Sequence, residues 1–133
     1  MPTIKRFDQL EVWKLARDLE NMVFTITQIG GISKDYCLKD QLNKSSGSIM
    51  DNIAEGFGRS SRFEFAQFLS IAKGSANELQ SQLYRCVDRG YIAEADFEKL
   101  YSQADHICGK ISTLMQYLNN SGIKGQKFKN RKR

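Results

Sequence analysis

Apolar residues recur at alternating intervals of three and four residues in four separate stretches of the 133-residue sequence. This spacing places side chains on one face of an α-helix, whereas a β-strand needs alternation at every second residue. No proline occurs after position 2, so nothing in the four stretches breaks a helix. The pattern therefore predicts an all-α protein. The four apolar faces comprise Val12, Leu15, Leu19, Met22, Ile26 and Ile29; Leu38, Leu42, Ser45, Ile49, Asn52 and Gly56; Phe65, Leu69, Ala72, Ala76, Leu79, Leu83 and Cys86; and Phe97, Leu100, Ala104, Ile107, Ile111, Leu114 and Leu118.

Candidate capping residues precede three of these helices. Asp8 lies before the first apolar face and is followed three residues later by Glu11, which is a capping-box pattern. Ser61 and Glu64 repeat this pattern before the third face, and Ser33 precedes the second. Because the connections are short, neighbouring helices are predicted to be antiparallel. We expect an antiparallel up-down-up-down four-helix bundle.

Length and charge predict the domain boundaries. A chain of 15.2 kDa has the size of a single domain with one core. Residues 124–133 hold six basic residues and no acidic one, while the other 14 basic and 15 acidic residues give a charge of −1. The net charge of +5 therefore belongs to the C-terminus. We predict an N-terminal arm over residues 1–7, the bundle over 8–119 and a disordered, flexible basic tail over 120–133.

The sequence disfavours a membrane protein, a secreted protein and a disulfide-stabilised protein. No apolar stretch approaches the roughly 20 residues that cross a membrane. Charges interrupt any apolar segment near the N-terminus, so we expect no membrane association and a cytoplasmic location. Cys37, Cys86 and Cys108 are far apart, which predicts reduced thiols rather than a disulfide framework or a zinc site.

Residues that could support catalysis are few. His106 is the single histidine, and neither a Glu-x-x-His pair nor a phosphate-binding glycine loop is present. We expect no metal, no cofactor and no enzymatic activity. A hydrolase that uses Glu55 and Glu78 as a carboxylate pair is the least favoured alternative, because no base, nucleophile or metal ligand accompanies them.

A row of polar residues runs beside the apolar face of the second helix. Its members are Gln41, Ser48, Asn52 and Glu55. Polar groups that are buried need hydrogen-bond partners, and the third helix offers Ser75 and Glu78. We expect Asn52, Glu55, Ser75 and Glu78 to form a hydrogen-bonded seam that fixes helix register or a contact between subunits.

The apolar surface of the first helix is wider than a single seam. Trp13 and Phe24 lie roughly 100° and 120° around the helix from Val12, at about 100° per residue. A contiguous apolar surface of this width marks an interface. Trp13 and Phe24 are therefore candidates for a contact between copies of the chain.

Basic residues are the candidates for nucleic-acid contact. A cationic run neutralises phosphates, but it is also common as a solvated chain end, and the sequence leaves both interpretations open. The candidates in the tail are Lys124, Lys127, Phe128, Lys129, Arg131, Lys132 and Arg133, with Phe128 as the only aromatic residue there. Those in the bundle are Arg59, Arg62, Arg85 and Arg89.

Three sequence motifs resemble those of a known family. They are Phe7-x-x-Leu10-x-Val12-Trp13-x-x-Ala16, Ser48-Ile49-Met50-Asp51-Asn52-Ile53-Ala54-Glu55-Gly56 and Phe65-x-x-Phe68-Leu69-x-Ile71-Ala72-x-Gly74-Ser75-x-x-Glu78-Leu79. Their order and spacing resemble the four-helix-bundle family of 23S ribosomal RNA intervening-sequence proteins. The family's signature positions are matched here by Asn52, Glu55, Gly56, Gly74, Ser75 and Glu78.

The resemblance implies a non-enzymatic bundle whose relatives assemble as five-membered rings. The family's similar accessory proteins of diversity-generating retroelements bind a reverse transcriptase and nucleic acid through basic surfaces. We therefore expect a self-associating scaffold, a homopentamer, that acts as an RNA-associated accessory protein and that could have a protein partner such as a reverse transcriptase. The alternative is a protein-interaction adaptor with no nucleic-acid role. Salt-dependent RNA binding separates the two, because phosphate neutralisation releases counterions.

Overall fold

The computed structural model contains four long α-helices. It describes the backbone of residues 4–132 and the side chains of residues 4–120. A short 3-10 turn at Phe7–Gln9 precedes the first helix, and a second one at Ile32–Lys34 precedes the second. The long helices are α1 (Glu11–Thr27), α2 (Tyr36–Phe57), α3 (Arg62–Asp88) and α4 (Glu94–Lys132).

The helices pack as an antiparallel bundle, as the sequence predicts. Helix α1 packs against α2 and α4, and α3 packs against the same two helices, so α1 and α3 are diagonal to each other. The side chain of Asn43 on α2 donates to Thr27 at the end of α1 over 3.3 Å. The side chain of Gln80 on α3 donates to the carbonyl of Tyr101 on α4 over 3.4 Å.

The core confirms the apolar faces predicted for α3 and α4. All seven α3 positions are buried, and so are the α4 positions except Leu114, which is half-buried. Both faces continue over about six turns, which leaves little freedom to place the helix in another rotation. These two helices supply more than half of the buried apolar residues.

The core face of α1 is rotated from the predicted one. The fully buried positions are Val12, Ala16, Leu19, Val23 and Thr27. Successive buried positions are on average 3.75 residues apart, which is close to the 3.6 residues per turn of a straight helix. The predicted seam had the 3.5-residue average spacing of a coiled coil. Most other members of the predicted seam pack beside the core, but Ile29 lies past the end of α1 and is 64% exposed.

Caps at the helix starts confirm one sequence prediction and overturn two. The hydroxyl of Ser61 accepts from the backbone N–H of Glu64 at 3.1 Å, as predicted for α3. The predicted cap Ser33 lies in the 3-10 turn before α2, and the carboxylate of Asp35 caps α2 instead. Asp and Ser are about equally good N-caps, so residue type alone did not choose between them.

Asp8 does not cap α1, because it belongs to the 3-10 turn that precedes that helix. The side-chain oxygen of Gln9 accepts from the backbone N–H groups of Lys5 and Arg6 at 2.8 and 3.1 Å. The carboxylate of Asp8 pairs with the guanidinium of Arg6 at 2.8 Å. The predicted cap at Asp8 is wrong because the side chains of Asp8 and Gln9 make their contacts within the 3-10 turn, before α1 begins.

The backbone of α4 continues to Lys132, beyond residue 119, where the sequence analysis places the end of the bundle. Asn, Ser and Gly each disfavour a helix by at most about 1 kcal/mol, and the many Lys and Arg residues that follow are good helix formers. The prediction of a disordered, flexible tail over residues 120–133 lies outside the described side chains and stays a prediction. Within residues 4–132, no helix combines the length and apolar character that crossing a membrane requires.

Candidate subunit and nucleic-acid interfaces

A line of polar contacts joins α2 to α3. The hydroxyl of Ser45 donates to the side-chain oxygen of Gln82 at 2.6 Å, and both residues are buried. One turn further along, the hydroxyls of Ser48 and Ser75 lie 2.8 Å apart. Because Asn52 donates to the hydroxyl of Ser48 at 2.9 Å, three of the predicted polar residues are connected.

At the other end of this line, the guanidinium of Arg85 donates to the side-chain oxygen of Gln41 at 2.7 Å. The residue pairs Gln41–Arg85, Ser45–Gln82 and Ser48–Ser75 are here called the polar ladder. Within the described side chains, no buried polar atom lacks a partner. The ladder therefore fixes the register of α2 against α3 without leaving an unpaired group.

The two signature glutamates do not join the ladder. The side chain of Glu55 is 59% exposed and pairs with Arg59, four residues later on the same surface, at 3.2 Å. Glu78 is exposed on α3. Because α2 and α3 are antiparallel and Ser48 contacts Ser75, Glu55 and Glu78 are displaced in opposite directions along the bundle, by about 15 Å in total. The carboxylates are thus not brought together as a pair.

Sequence reasoning missed Gln82 and Arg85 as partners of α2. Ser75 and Gln82 are seven residues apart, and so are Gln41 and Ser48. Two residues that are seven positions apart lie on nearly the same face of a helix. The two pairs of polar residues at this interval, one on each helix, could therefore have predicted the contact between α2 and α3. All ladder residues except Ser75 line a groove of about 410 Å³, together with Lys44, Glu78 and Ser81.

The two signature glycines have different surroundings. A Cβ atom on Gly56 would lie 2.6 Å from the Cβ of Phe68, so only glycine allows α3 to approach α2 here. A Cβ atom on Gly74 would meet no atom within 4 Å. Gly74 is exposed in the middle of α3, where glycine disfavours the helix by about 1 kcal/mol relative to alanine. Packing within one chain explains Gly56 but not Gly74.

The aromatic residues predicted as an interface lie on one edge of α1. Phe24 is 51% exposed. Trp13 is half-buried, since the ring of Phe7 packs edge-on against it at 5.1 Å and the guanidinium of Arg17 lies 5.8 Å from its ring centre. Phe7, Trp13 and Phe24 are here called the aromatic edge.

Asp35 connects the start of α2 to the turn between α3 and α4. Its carboxylate accepts from the backbone N–H of Leu38 at 3.3 Å, from the hydroxyl of Tyr91 at 2.9 Å and from the guanidinium of Arg89 at 2.8 Å. The hydrogen bond from Tyr91, followed by the backbone bond from Leu38, lowers the pKa of this carboxyl below its usual 3.8. The same bond raises the pKa of Tyr91. Gly31 lies directly against the ring of Tyr91.

The three thiols are free. Cys37 is exposed, whereas Cys86 and Cys108 are buried. Burial raises the pKa of the Cys86 thiol to about 11 and raises that of Cys108. Buried thiols with a raised pKa are unreactive at neutral pH. His106 is exposed, and no cluster of metal-ligating side chains is present among residues 4–120.

The four arginines of the bundle that are candidates for nucleic-acid contact form two separate pairs. Arg59 and Arg62 flank the turn between α2 and α3, and the guanidinium of Arg59 also lies 4.8 Å from the ring centre of Phe68. Arg85 and Arg89 lie about 35 Å further along α3 and are held by the ladder and by Asp35. The tail candidates between Lys124 and Arg133 lie outside the described side chains.

Charge differs between the two ends of the bundle. The half nearest the α2–α3 turn, called the turn end, comprises residues 4–19, 47–75 and 107–120 and contains eight basic and six acidic residues. The opposite half, residues 20–46 and 76–106, contains six basic and nine acidic residues. Because α4 runs toward the α2–α3 turn, the tail sequence with its six cations follows from the turn end.

These features define a four-helix-bundle protein with a polar α2–α3 contact and a basic turn end. Comparison with family models matches residues 8–113 to the 23S rRNA-intervening sequence protein family. The chain belongs to this family, as its motifs predicted. No curated protein matches the sequence.

A solved structure supports the fold. The chain is similar to a crystal structure of a protein of unknown function from the S23 ribosomal protein family of Bacteroides thetaiotaomicron, with 21% sequence identity and a TM-score of 0.72. The similarity covers 78% of this chain and 97% of that one. At this identity the comparison establishes the shared architecture.

Proposed function

We propose that this protein is a non-enzymatic, self-associating scaffold that binds RNA through its turn end. The observation that carries the proposal is the charge difference between the two ends. The turn end has two more basic than acidic residues, the opposite end has three more acidic than basic residues, and the six tail cations follow the turn end. Phosphate backbones are attracted to such a concentration of cations.

The family supports RNA as the nucleic acid, because its name refers to intervening sequences of 23S rRNA. The resemblance to this family implies ring-forming relatives, so we propose a homopentamer in which all copies have the same orientation. Five tails then place about thirty cations at one end of the assembly. Multivalent attachment makes such an array effective even when each tail binds weakly.

An adaptor that binds only proteins, such as a reverse transcriptase, is the second candidate. It is favoured by one observation: the exposed positions of α3 from Phe63 to Asn77 carry no charge, and the charged residues of this stretch, Glu64 and Lys73, are half-buried. Interface cores are depleted of charged residues, whereas RNA-binding surfaces are rich in cations. The two candidates differ in the salt dependence of their RNA affinity.

The test is an RNA titration at two salt concentrations with the full chain and with a chain truncated after residue 123. A matched control keeps the full length but replaces all six basic residues of the tail with Gln. We expect the full chain to bind tightly at low salt, with log K falling by about 0.7 per log unit of salt for each phosphate contacted on a single strand. Both variants should lose most of the affinity while keeping helicity and mass. RNA affinity that is absent in the full chain, or insensitive to salt, favours the adaptor.

A further inference from the structure

The groove between α2 and α3, here called the α2–α3 groove, has only polar and charged lining residues. Its volume of about 410 Å³ is sufficient for a small ligand. Seven of the eight lining residues belong to the half of the bundle opposite the turn end. The groove is therefore separate from the RNA-binding end proposed above, and its polar groups decide what it can bind.

A nearly buried hydrogen-bond donor opens into this groove. Gln82 is 6% exposed, and its side-chain oxygen accepts from the hydroxyl of Ser45 at 2.6 Å. Its side-chain nitrogen makes no hydrogen bond with a described residue. Because no buried polar atom among the described side chains lacks a partner, this nitrogen is accessible from the groove. With its oxygen already engaged, Gln82 offers N–H groups to an acceptor in the groove.

Two cations lie toward the same end of the groove. The guanidinium of Arg85 is half-buried and is held by the side-chain oxygen of Gln41 at 2.7 Å. Lys44 is exposed one turn after Gln41 and forms no ion pair with a described residue. A guanidinium that is positioned by another side chain, with an ammonium nearby, binds a phosphate group through charge-assisted hydrogen bonds.

We propose that the α2–α3 groove binds a small phosphomonoester that carries hydroxyl groups. A phosphomonoester has a charge of about −1.5 to −2 at pH 7, which matches Lys44 and Arg85 together. The groove is larger than a phosphate group, so there is room for an organic part that extends toward Glu78, about 10 Å along α3 from Arg85. Glu78 is exposed, forms no ion pair with a described residue and accepts hydrogen bonds from the hydroxyl groups.

The charge around the groove favours a small molecule over the end of an RNA chain as the source of this phosphomonoester. The half of the bundle that supplies most of the lining contains six basic and nine acidic residues. A long polyanion that entered the groove would pass these acidic residues, whereas a small ligand contacts the groove alone.

The probe is ribose 5-phosphate, titrated into the full chain by calorimetry. We expect saturable one-to-one binding and a higher melting temperature, because α2 and α3 form the groove only in the folded chain. Inorganic phosphate should bind more weakly, and ribose should not bind. Absence of saturable binding overturns the proposal. Equal affinities for ribose 5-phosphate and inorganic phosphate also overturn it, because the groove is then a site for an ion only.

Variants at the two ends of the groove test how the ligand is oriented. Lys44→Gln should weaken binding of ribose 5-phosphate and of inorganic phosphate by about tenfold, through loss of a hydrogen bond between charged groups. Lys34→Gln, exposed in the same half but outside the groove, is its control. Equal affinities of these two variants contradict the phosphate site.

Glu78→Gln should weaken binding of ribose 5-phosphate but not of inorganic phosphate, because its carboxylate accepts from the sugar and repels the phosphate. Glu94→Gln, exposed on α4 in the same half, is its control. Circular dichroism establishes that all four variants are folded. An unchanged affinity of Glu78→Gln for ribose 5-phosphate overturns the recognition of the hydroxyl groups.

Competition with RNA distinguishes the two sources of a phosphomonoester. An RNA hexamer with a 5′-phosphate should displace ribose 5-phosphate no better than the same hexamer with a 5′-hydroxyl. Selective displacement by the 5′-phosphorylated hexamer assigns the groove to RNA ends and overturns the small-molecule source. Truncation after residue 123 should leave the affinity for ribose 5-phosphate unchanged, so the failure of this site and the failure of the proposed RNA binding are separate results.

Discussion

Asp35 connects the start of α2 with the turn between α3 and α4. Its carboxylate binds the first turn of α2, the hydroxyl of Tyr91 and the guanidinium of Arg89, so it ties the start of one helix to the turn that follows another. These contacts favour the charged form of the carboxylate and lower its pKa. The stability of this end of the bundle should therefore depend on pH.

Asp35→Asn should lower the melting temperature at pH 7 by a few degrees. Asparagine remains a good N-cap, so the loss reflects the charged contacts with Arg89 and Tyr91. A carboxyl whose pKa is lowered by folding contributes stability above its unfolded pKa, near 3.8, and loses it as the pH falls through the folded value. The difference between variant and wild type should thus disappear in acid. Asp40→Asn, at an exposed position of α2, is the control and should melt like wild type at both pH values.

Alanine substitutions at two glycines of α2, Gly56 and Gly47, should have opposite effects on stability. Gly56→Ala places a Cβ atom 2.6 Å from the Cβ of Phe68, which forces α2 and α3 apart and should reduce the free energy of unfolding by about 1–3 kcal/mol. Gly47→Ala meets no atom within 4 Å and should stabilise α2 by up to about 1 kcal/mol. Urea denaturation measures both. Equal effects of the two substitutions would contradict the close approach at Gly56.

At the scale of elements, the pair α2 and α3 is distinguished by its polar ladder. Most contacts between helices in this bundle are apolar, but here hydroxyl and amide groups meet in a buried or half-buried line. Such contacts have strict geometry, so they specify how far one helix is shifted along the other. Removing one partner of such a contact reduces the free energy of unfolding, because the other polar group is then buried without a hydrogen bond.

Ser45→Ala should reduce the free energy of unfolding by about 1–3 kcal/mol, because it removes the buried donor to the side-chain oxygen of Gln82. Combining it with Gln82→Leu should restore part of that loss, since no unpaired polar group then remains. Glu55→Ala should change stability by less than about 0.5 kcal/mol, because its exposed pairing with Arg59 contributes little. A loss from Glu55→Ala as large as that from Ser45→Ala would show that Glu55 has a buried role.

The sequence predicted elements better than it predicted their exact contacts, for physical reasons that differ between helices. The α3 and α4 faces were predictable because a long seam of buried residues, from Phe65 to Cys86 in α3, leaves one rotation that buries them all. The rotation of α1 depends on which neighbours it packs against, so Ala16 and Val23 replaced Leu15 and Met22 in the core. Helix periodicity is local information, whereas this choice is made by tertiary contacts.

The candidate site was predictable in part for the same reason. Ser48, Asn52 and Ser75 were expected to interact and do so. Glu55 was expected beside them, but a position on the flank of a helix is compatible with either a buried contact or an exposed one. Only the spacing between the two helices decides this, and Glu55 lies on the exposed side.

At the scale of the whole molecule, the antiparallel topology separates the charges. It brings the beginning of α1, the turn between α2 and α3 and the departing end of α4 to one end, where Arg59 and Arg62 lie. The acidic residues near the start of α4, Glu94, Asp96 and Glu98, lie at the other end. A molecule with basic and acidic residues at opposite ends orients a polyanion such as RNA. A cation at the basic end should therefore contribute more to RNA affinity than a cation at the acidic end.

Two double variants that remove the same charge test this polarity. Arg59→Gln with Arg62→Gln removes two cations from the turn end, and Lys34→Gln with Lys99→Gln removes two exposed cations from the opposite end. If RNA lies across the turn end, the first pair should weaken binding and reduce the magnitude of the slope of log K against log salt by up to about 1.4, at about 0.7 for each lost phosphate contact on a single strand. The second pair should change the affinity slightly and leave the slope intact, because it alters net charge without removing a contact. Equal reductions in slope by the two pairs would contradict a defined RNA-binding end, and thermal melts of both variants establish that each difference in affinity arises in a folded bundle.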